Sequence, residues 1–494
     1  MEKLKRYMAD GKAGRSRRWV VAALIVFLFG AADRHFAEPQ AHATGRVPSI
    51  SLSASEVLRI ARSLGSGDPY DSVAKVVLQQ ASESSLHMTA FEEGRFFIYA
   101  VGDTAGQATN AQSPNTPGSA PRIMRRVIIL KPSVFVVDDE VIDAAPRRPI
   151  DWWFEPANTA EAIGRINNES GWKVSCETLY PQRTNAPGER AHGENPRVES
   201  TEVFSLDNSG KARFLHFLEV RPAASRNPRT RSELTTVHGQ WKLKLWTEDR
   251  IVRLTLPPPD QGAGEIAVST ADGKPLLANQ PLAAGILPHG PEGVRLMEQW
   301  DADYQGKRPP AWDIGKPADE LQKAVSEGKI HPCRAVDLCC GSGTDAIYLA
   351  RKGFQVTALD IAPTALSLGE RKARAAGVSA AWLLANVLAP PNLVPFDFIY
   401  DRGCYHVVRD QNLNAYLDTL RHLSRPGTQF LLLAARADEE GPNRNHSGVT
   451  EEELRFDLLP LFDIEWLRQI RLESNEPGIG PPGWAALLRR SSKP

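Results

Sequence analysis

The spacing of hydrophobic positions changes rhythm twice along this chain. From about residue 50 to 85, Val57, Ile60, Ala61 and Leu64 recur at helical spacing and predict helix packed beneath the next stretch of chain. Beyond Phe91 short β-rich runs take over, at Arg95 to Val101, Arg126 to Leu130, Val134 to Val137, Ala212 to Val220, Gln240 to Trp246, Ile251 to Leu256 and Glu265 to Ser269. Gly, Pro, Asn and Asp turns separate them, which is the pattern of an antiparallel β-sandwich. Pro281 to Gly293 is rich in Pro and Gly and reads as a linker. After it, strands predicted at Ala335 to Cys339, Gln355 to Asp360, Ala381 to Leu384, Phe396 to Tyr400, Gln429 to Ala434 and Trp484 to Leu488 alternate with helices. The helices are predicted at Asp345 to Lys352, Thr364 to Ala376, Asn412 to Ser424 and Glu451 to Leu459. This rhythm predicts an α/β doubly wound, Rossmann-like parallel sheet.

A chain of 494 residues exceeds what one hydrophobic core usually supports, so the change of rhythm predicts a multidomain protein. The expected division is an N-terminal signal or anchor over 1–45, a β-sandwich over 46–290 and an α/β domain over 296–494. Lys and Arg together number 59 and balance 59 Asp and Glu, so no bulk charge argues for nucleic acid. Of five cysteines, Cys176 stands alone in the first 300 residues while Cys333, Cys339, Cys340 and Cys404 follow closely, which argues against a disulfide framework. No metal site is assigned.

At the N-terminus seven basic residues between Lys3 and Arg18 precede the apolar run Trp19 to Ala32, with Ala41-His-Ala43 beyond it. A basic region, a short apolar core and a small-x-small end read as a secretory signal, with an uncleaved anchor as the alternative. Membrane contact is expected only through this segment. Localisation is then left between two readings: the signal argues for export, and the clustered thiols argue for cytoplasm.

The chemistry concentrates at Val336-Asp-Leu-Cys-Cys-Gly341-Ser-Gly343-Thr-Asp345, an apolar strand running into a glycine turn and a helix. In a doubly wound sheet this turn lies at the carboxyl edge, where ligands bind. Gly341 and Gly343 would let the backbone approach a ligand closely. Asp360, nineteen residues after Gly341, ends the second strand, where a carboxylate accepts ribose hydroxyls. Asp345 at the helix start would repel a pyrophosphate and suit a cationic ligand, so a sulfonium nucleoside is favoured over a dinucleotide. Asp337, in the first strand, joins this candidate binding set, to which a family resemblance adds Trp312 and, at the end of the third strand, Asn386.

Two family resemblances attach to these residues. Trp300-Asp-Ala-Asp-Tyr304, Pro310-Ala-Trp312-Asp-Ile-Gly315-Lys-Pro317, the glycine loop and Phe396-Asp-Phe-Ile-Tyr-Asp401-Arg402-Gly403 resemble, in order and spacing, the thiopurine and tellurite-resistance class I methyltransferases. The resemblance implies S-adenosylmethionine as cofactor, Trp312 as a lid over it, a substrate pocket beside Asp401-Arg402, and a small soft acceptor such as a thiol, selenium or tellurium species. Asp401 and His406 are the candidate bases for an oxygen or nitrogen acceptor, and Arg402 is a candidate attractor of an anionic one. Structural alternatives stand beside these roles: Trp312 as a buried anchor, Arg402 as a surface ion pair, and His406 and Cys404 as packing residues. The chain departs from the family pattern at Cys339, where glycine is usual, and at Asn386, where aspartate is common.

Arg126-Val-Ile-Ile-Leu-Lys-Pro-Ser-Val-Phe-Val-Val-Asp138, with Val101-Gly-Asp103 and Trp152-Trp-Phe154, resembles the β-sandwich of heparinase II/III-type polysaccharide lyases over about residues 85 to 290. In that family a helical toroid before the sandwich carries most of the catalytic groups, and this chain has no room for it. Polysaccharide contact through the sandwich is the implied further partner. The competing reading of the whole chain is therefore an exported polysaccharide-binding or lyase-related protein with a vestigial methyltransferase domain.

Overall fold

The computed structural model describes residues 49–53, 57, 60–61, 73, 86–104, 122–142, 150–155, 172–181, 199–203, 211–222, 224–225, 229–437, 448–475 and 480–492. The signal or anchor expected over 1–45 lies outside them. No helix among the described residues is long and apolar enough to cross a membrane. Residues 47–494 form one compact unit.

The N-terminal part is built on a six-stranded antiparallel sheet, in the order His87–Glu93, Phe97–Asp103, Arg122–Leu130, Val134–Ile142, Lys211–Pro222 and Trp172–Tyr180. Its central strands are buried at nearly every position rather than at alternate ones, and the reason is that both faces are covered. On one face Ile98, Val127, Phe135 and Phe214 pack with Leu52, the helical Val57 and Ile60, and Trp152. On the other, Tyr99, Ile128, Val136 and Leu215 pack with Leu243, Val252, Leu254 and Ile266 of a second antiparallel sheet, whose five strands run in sequence from Arg231–Val237 to Pro275–Pro281. The Lys131-Pro-Ser133 reversal stands where the residues predict it. Strand pairing also recruits segments without a strand pattern in the sequence, including His87–Glu93, Trp172–Tyr180 and Ser49–Ser53. The last of these lies where helix was expected.

The C-terminal part contains, in chain order, α1 (Gly290–Gln305), α2 (Asp319–Ser326), β1 (Arg334–Leu338), α3 (Thr344–Arg351), β2 (Gln355–Asp360), α4 (Pro363–Ala375), β3 (Ala381–Leu384), β4 (Phe396–Arg402), α5 (Cys404–Leu423), β5 (Ser424–Ala435), α6 (Glu451–Leu458), β6 (Phe462–Arg471) and β7 (Pro482–Arg490). The sheet order is β3-β2-β1-β4-β5-β7-β6, parallel from β3 to β5, with β7 and β6 antiparallel. Successive residues of each strand point to opposite faces. Val336, Ile399 and Leu432 thus meet Tyr405, Tyr416, Leu420 and Leu454 of α5 and α6, while Ala335, Phe398 and Leu431 meet Leu321 of α2 and Leu349 of α3. The strand order reverses between β1 and β4, which opens a crevice above their carboxyl ends.

The expected linker over Pro281 to Gly293 is instead a built part of both halves. Leu282 and Ala283 are buried, the Ala284 N–H donates to the carbonyl of Leu384 at 2.8 Å, and Gly285 and Leu287 hydrogen-bond with Phe91 in the N-terminal sheet. Buried Glu92 accepts from the Ala283 N–H at 3.0 Å and from Gln280 at 3.2 Å. The segment has too few polar positions to run through solvent, and the edge of β3 offers it a partner. From Gly290 it enters α1, a helix its Pro and Gly content concealed.

Candidate active site

The crevice holds a cavity of about 560 Å³. Its floor is acidic. The Asp360 carboxylate, 8% exposed at the end of β2, accepts the Gly341 N–H at 2.7 Å through one oxygen and the Ala362 N–H at 2.8 Å through the other. Burial lifts its pKa to about 6 despite those donors. Asp345 accepts from the Ala318 N–H at 2.8 Å and the Tyr400 hydroxyl at 3.2 Å, and burial raises its pKa too. Asp337 is buried, its Oδ2 meets no donor among the described residues, and burial followed by the neighbouring Asp345, Asp401 and Asp360 charges pushes its pKa well up.

The glycines divide their work. Gly341 sits at φ 55°, and a Cβ there would come within 2.6 Å of the Tyr304 hydroxyl at the cavity wall. Gly343 was expected to admit a ligand, but it makes room for Trp382, whose ring a Cβ would meet at 2.2 Å. It is therefore a helix-to-strand packing residue, and it does not line the cavity. Cys339 adopts φ 51°, the left-handed conformation that explains why glycine is usual at this place.

A cover closes one side. Trp312 is 43% exposed, donates to the Tyr304 hydroxyl at 2.9 Å and meets Trp300 edge to face. It is held from several sides, because Ser342 donates to Asp313 at 2.6 Å and Asn475 donates to the carbonyls of Pro310 and Asp313 at 2.7 and 2.9 Å. Asn475 carried no signal in the sequence, since it acts through partners about 160 residues away in the chain, and the pairing of Ser342 with Asp313 was equally hidden. At the far end Asn386 lines the cavity, with its side-chain oxygen accepting the Leu388 N–H at 3.0 Å, so what it has left for a ligand is chiefly its amide hydrogens.

Three expectations about catalytic groups need correction. Asp401 is fully buried and does not line the cavity; its oxygens accept the Cys404 and Tyr405 N–H groups and the Tyr416 hydroxyl, so it caps the start of α5. Burial raises its pKa to about 7. Arg402 does line the cavity, but its guanidinium donates to the carbonyls of Trp312 at 2.9 Å and Glu473 at 3.2 Å. It clasps the cover rather than presenting a free cation. His406 lines the cavity with its pKa pulled down to about 4 by burial, and its Nδ1 accepts the Ala435 N–H at 3.2 Å. A neutral imidazole accepting at Nδ1 carries its proton on Nε2, so it offers a donor and not a base.

The structure also joins Cys339 to Cys404 in a disulfide, which the cysteine distribution did not suggest. The two sulfurs are 65 residues apart in the chain, and only the adjacency of β1 and β4 brings their carboxyl ends together.

Residues 335–427 match the family model described as a methyltransferase domain. With the sheet order and the acid-lined crevice, this makes the C-terminal part a class I S-adenosylmethionine-dependent methyltransferase domain, and its cofactor is S-adenosylmethionine. Among curated proteins it is similar to a 2-heptyl-1-hydroxyquinolin-4(1H)-one methyltransferase of Mycobacteroides abscessus, 27% identical over 203 residues covering 38% of this chain and 86% of that protein. It is also similar to probable thiol methyltransferase 2 of Arabidopsis thaliana, 24% identical over 194 residues covering 38% of this chain and 83% of that protein. Among solved structures it is similar to a Burkholderia thailandensis 1,6-didemethyltoxoflavin-N1-methyltransferase, with 21% identity, a TM-score of 0.34, and coverage of 46% of this chain and 96% of that one.

The residues present fit a cationic nucleoside. Two buried carboxylates, Asp337 and Asp360, share one cavity with the half-buried Asp345, one of the three has an oxygen without a donor among the described residues, and a fixed positive charge among them offsets the cost that their raised pKa values express.

Proposed function

We propose that the chain methylates a small, soft nucleophile, a thiol or a selenium or tellurium species, at the expense of S-adenosylmethionine. The observation that carries this reading is that the two candidate bases after β4, Asp401 and His406, are both engaged by the chain itself. Asp401 is spent on α5, and His406, whose Nδ1 accepts the Ala435 N–H, carries its proton on Nε2. An acceptor that arrives already nucleophilic, as a thiolate does, needs no proton removed by either group. The thiol methyltransferase among the curated relatives supports the same choice.

In this reading Asp360 accepts the ribose hydroxyls, Asn386 donates to the adenine, and Asp337 and Asp345 face the cationic methionyl end beside Gly341. Trp312 and Tyr304 exclude water from above. The bound cofactor supplies an electrophilic methyl group on a positively charged sulfur. The protein's part is to hold the acceptor in line with that methyl and to keep the site dry. The His406 Nε2–H orients the acceptor by a hydrogen bond.

The division of the chain near residue 290 belongs to the same proposal, with residues 46–290 a heparinase II/III-like β-sandwich retained as a structural partner without lyase chemistry. Two antiparallel sheets sharing one core favour it. The test is calorimetric titration of the full chain with S-adenosylmethionine, followed by a methyl-transfer screen against thiols, selenite, tellurite and halides. Micromolar binding with transfer to a soft acceptor is expected. Absence of cofactor binding, or transfer confined to alcohols and amines, would overturn the reading.

A further inference from the structure

The Cys339–Cys404 bridge spans the cavity wall. Its Cα atoms are 5.6 Å apart, an ordinary separation for a bridged pair. One end lies in the turn after β1 that carries Gly341, the other is the first residue of α5, and both line the cavity. A second observation bears on the same loop: Cys339 holds the left-handed φ of 51°, which costs a residue bearing a Cβ and which glycine adopts freely. Cys404 is 3% exposed while Cys339 is only partly buried, so a small reagent in the cavity meets the bridge at Cys339.

We propose that this pair is a thiol–disulfide exchange site built into the methyl-transfer cavity, that its reactants are low-molecular-weight thiols and disulfides, and that the oxidised form keeps the loop ready for the methyl donor. The inference rests on the methyltransferase reading above. In reduction, the thiolate of one small thiol attacks the Cys339 sulfur, the bridge breaks, and Cys404 leaves as a thiolate at the start of α5, where the helix dipole favours negative charge before a proton is taken up. A second small thiolate then attacks the outer sulfur of the mixed disulfide, releasing Cys339 and a small-molecule disulfide. The protein gains two electrons and two protons, and two thiols are oxidised to one disulfide. Oxidation is the reverse, beginning with the Cys339 thiolate attacking the small disulfide.

Without the bridge, Cys339 leaves the left-handed conformation, and the loop has to recover it to bind donor. Donor affinity then falls about tenfold, the factor that corresponds to a non-glycine residue in that conformation.

The experiment uses the full chain. Alkylation with mass spectrometry counts free thiols before and after dithiothreitol, and calorimetry measures S-adenosylmethionine affinity in both states. The expected result is that Cys339 and Cys404 are protected until reduction, and that reduction weakens the affinity about tenfold. Reduced Cys339→Gly should bind about tenfold more tightly than the reduced parent, because glycine restores the turn without the bond. Cys404→Ser should match the reduced parent and ignore the reductant. Free thiols at both positions without reductant, or equal affinity in both redox states, would overturn this inference alone. No binding in either state would overturn the methyltransferase reading, and this inference with it.

Discussion

In the N-terminal sheets the buried aspartates Asp138 and Asp139 have cations. Asp139 accepts from Arg125 at 2.7 Å and from the Trp152 indole at 2.7 Å, and Asp138 lies 2.8 Å from Arg213 and 3.3 Å from Arg126. In the C-terminal cavity buried Asp337 and Asp360 lie with half-buried Asp345, and the Arg402 guanidinium, whose charge acts on Asp337 and Asp345, gives its hydrogen bonds to main-chain carbonyls and to none of the three. The same residue type at the same depth thus serves two ends. Where each charge is matched within the chain, the group belongs to the structure; where three like charges gather around a single cation, the excess favours a ligand of opposite sign.

The largest expected effect breaks the matched side. Asp139→Ala takes the carboxylate away from the fully buried Arg125 guanidinium, and should lower the stability of the full chain by about 3–5 kcal/mol in urea denaturation. On the unmatched side Asp360→Ala should weaken S-adenosylmethionine binding by about 10- to 100-fold in calorimetry, the loss of hydrogen bonds to a charged group, while the protein stays folded. Asp337→Asn should separate the two ends most sharply. It should raise the melting temperature of the free protein, because a buried unmatched acid is removed, and weaken the cofactor about tenfold.

A pH series sharpens the contrast further. The Glu92 carboxyl is lifted from 4.5 to about 8 and that of Asp360 from 3.8 to about 6, both chiefly by burial. In each case the unfolded chain releases its proton first, so between the two pKa values the folded state binds more protons and stability falls as pH rises. Stability of the free protein should therefore be highest below about pH 3.8 as far as these groups act, and decline toward pH 8. Cofactor affinity should run the other way and weaken as pH falls through about 6, where Asp360 takes up its proton. A denaturation midpoint and a dissociation constant measured across the same buffers check both slopes. The smallest effect is expected at the exposed pair Arg374 and Glu370, where Arg374→Ala should change stability by about 0.5 kcal/mol or less.

Much of the C-terminal sheet was legible because its strands are apolar on both faces and end at Gly, Pro or Asp. Gln355–Asp360 and Ala381–Leu384 stand where the residues predicted them. The edge strand Phe462–Arg471 was not legible, since its charged residues Asp463, Glu465, Arg468 and Arg471 hide the pattern and only pairing with β7 makes it a strand. The helix predicted from Asn412 is the second part of α5: Asn412 breaks the helical dihedrals and its side chain accepts the Ala415 N–H at 3.1 Å, so the residue that looked like a start is an internal cap. Within the site, Asp360 and Gly341 could be placed from their spacing because strand, turn and helix lie in one continuous segment. Asp401, Arg402 and His406 could not be assigned that way, since their hydrogen-bond partners come from α5, the cover and β5.

The sequence by itself determined the alternating strands and helices, the glycine turn after β1 and the acid at the end of β2, because each depends on residues close together in the chain. Only the tertiary structure decided that Gly343 yields to Trp382, that Asn475 and Arg402 hold the cover, that Cys339 finds Cys404, and that the supposed linker is welded into both halves. These pairings join residues tens to hundreds of positions apart. Local pattern carries no information about which distant group will occupy the neighbouring space, and it is packing and the satisfaction of buried polar groups that make the choice.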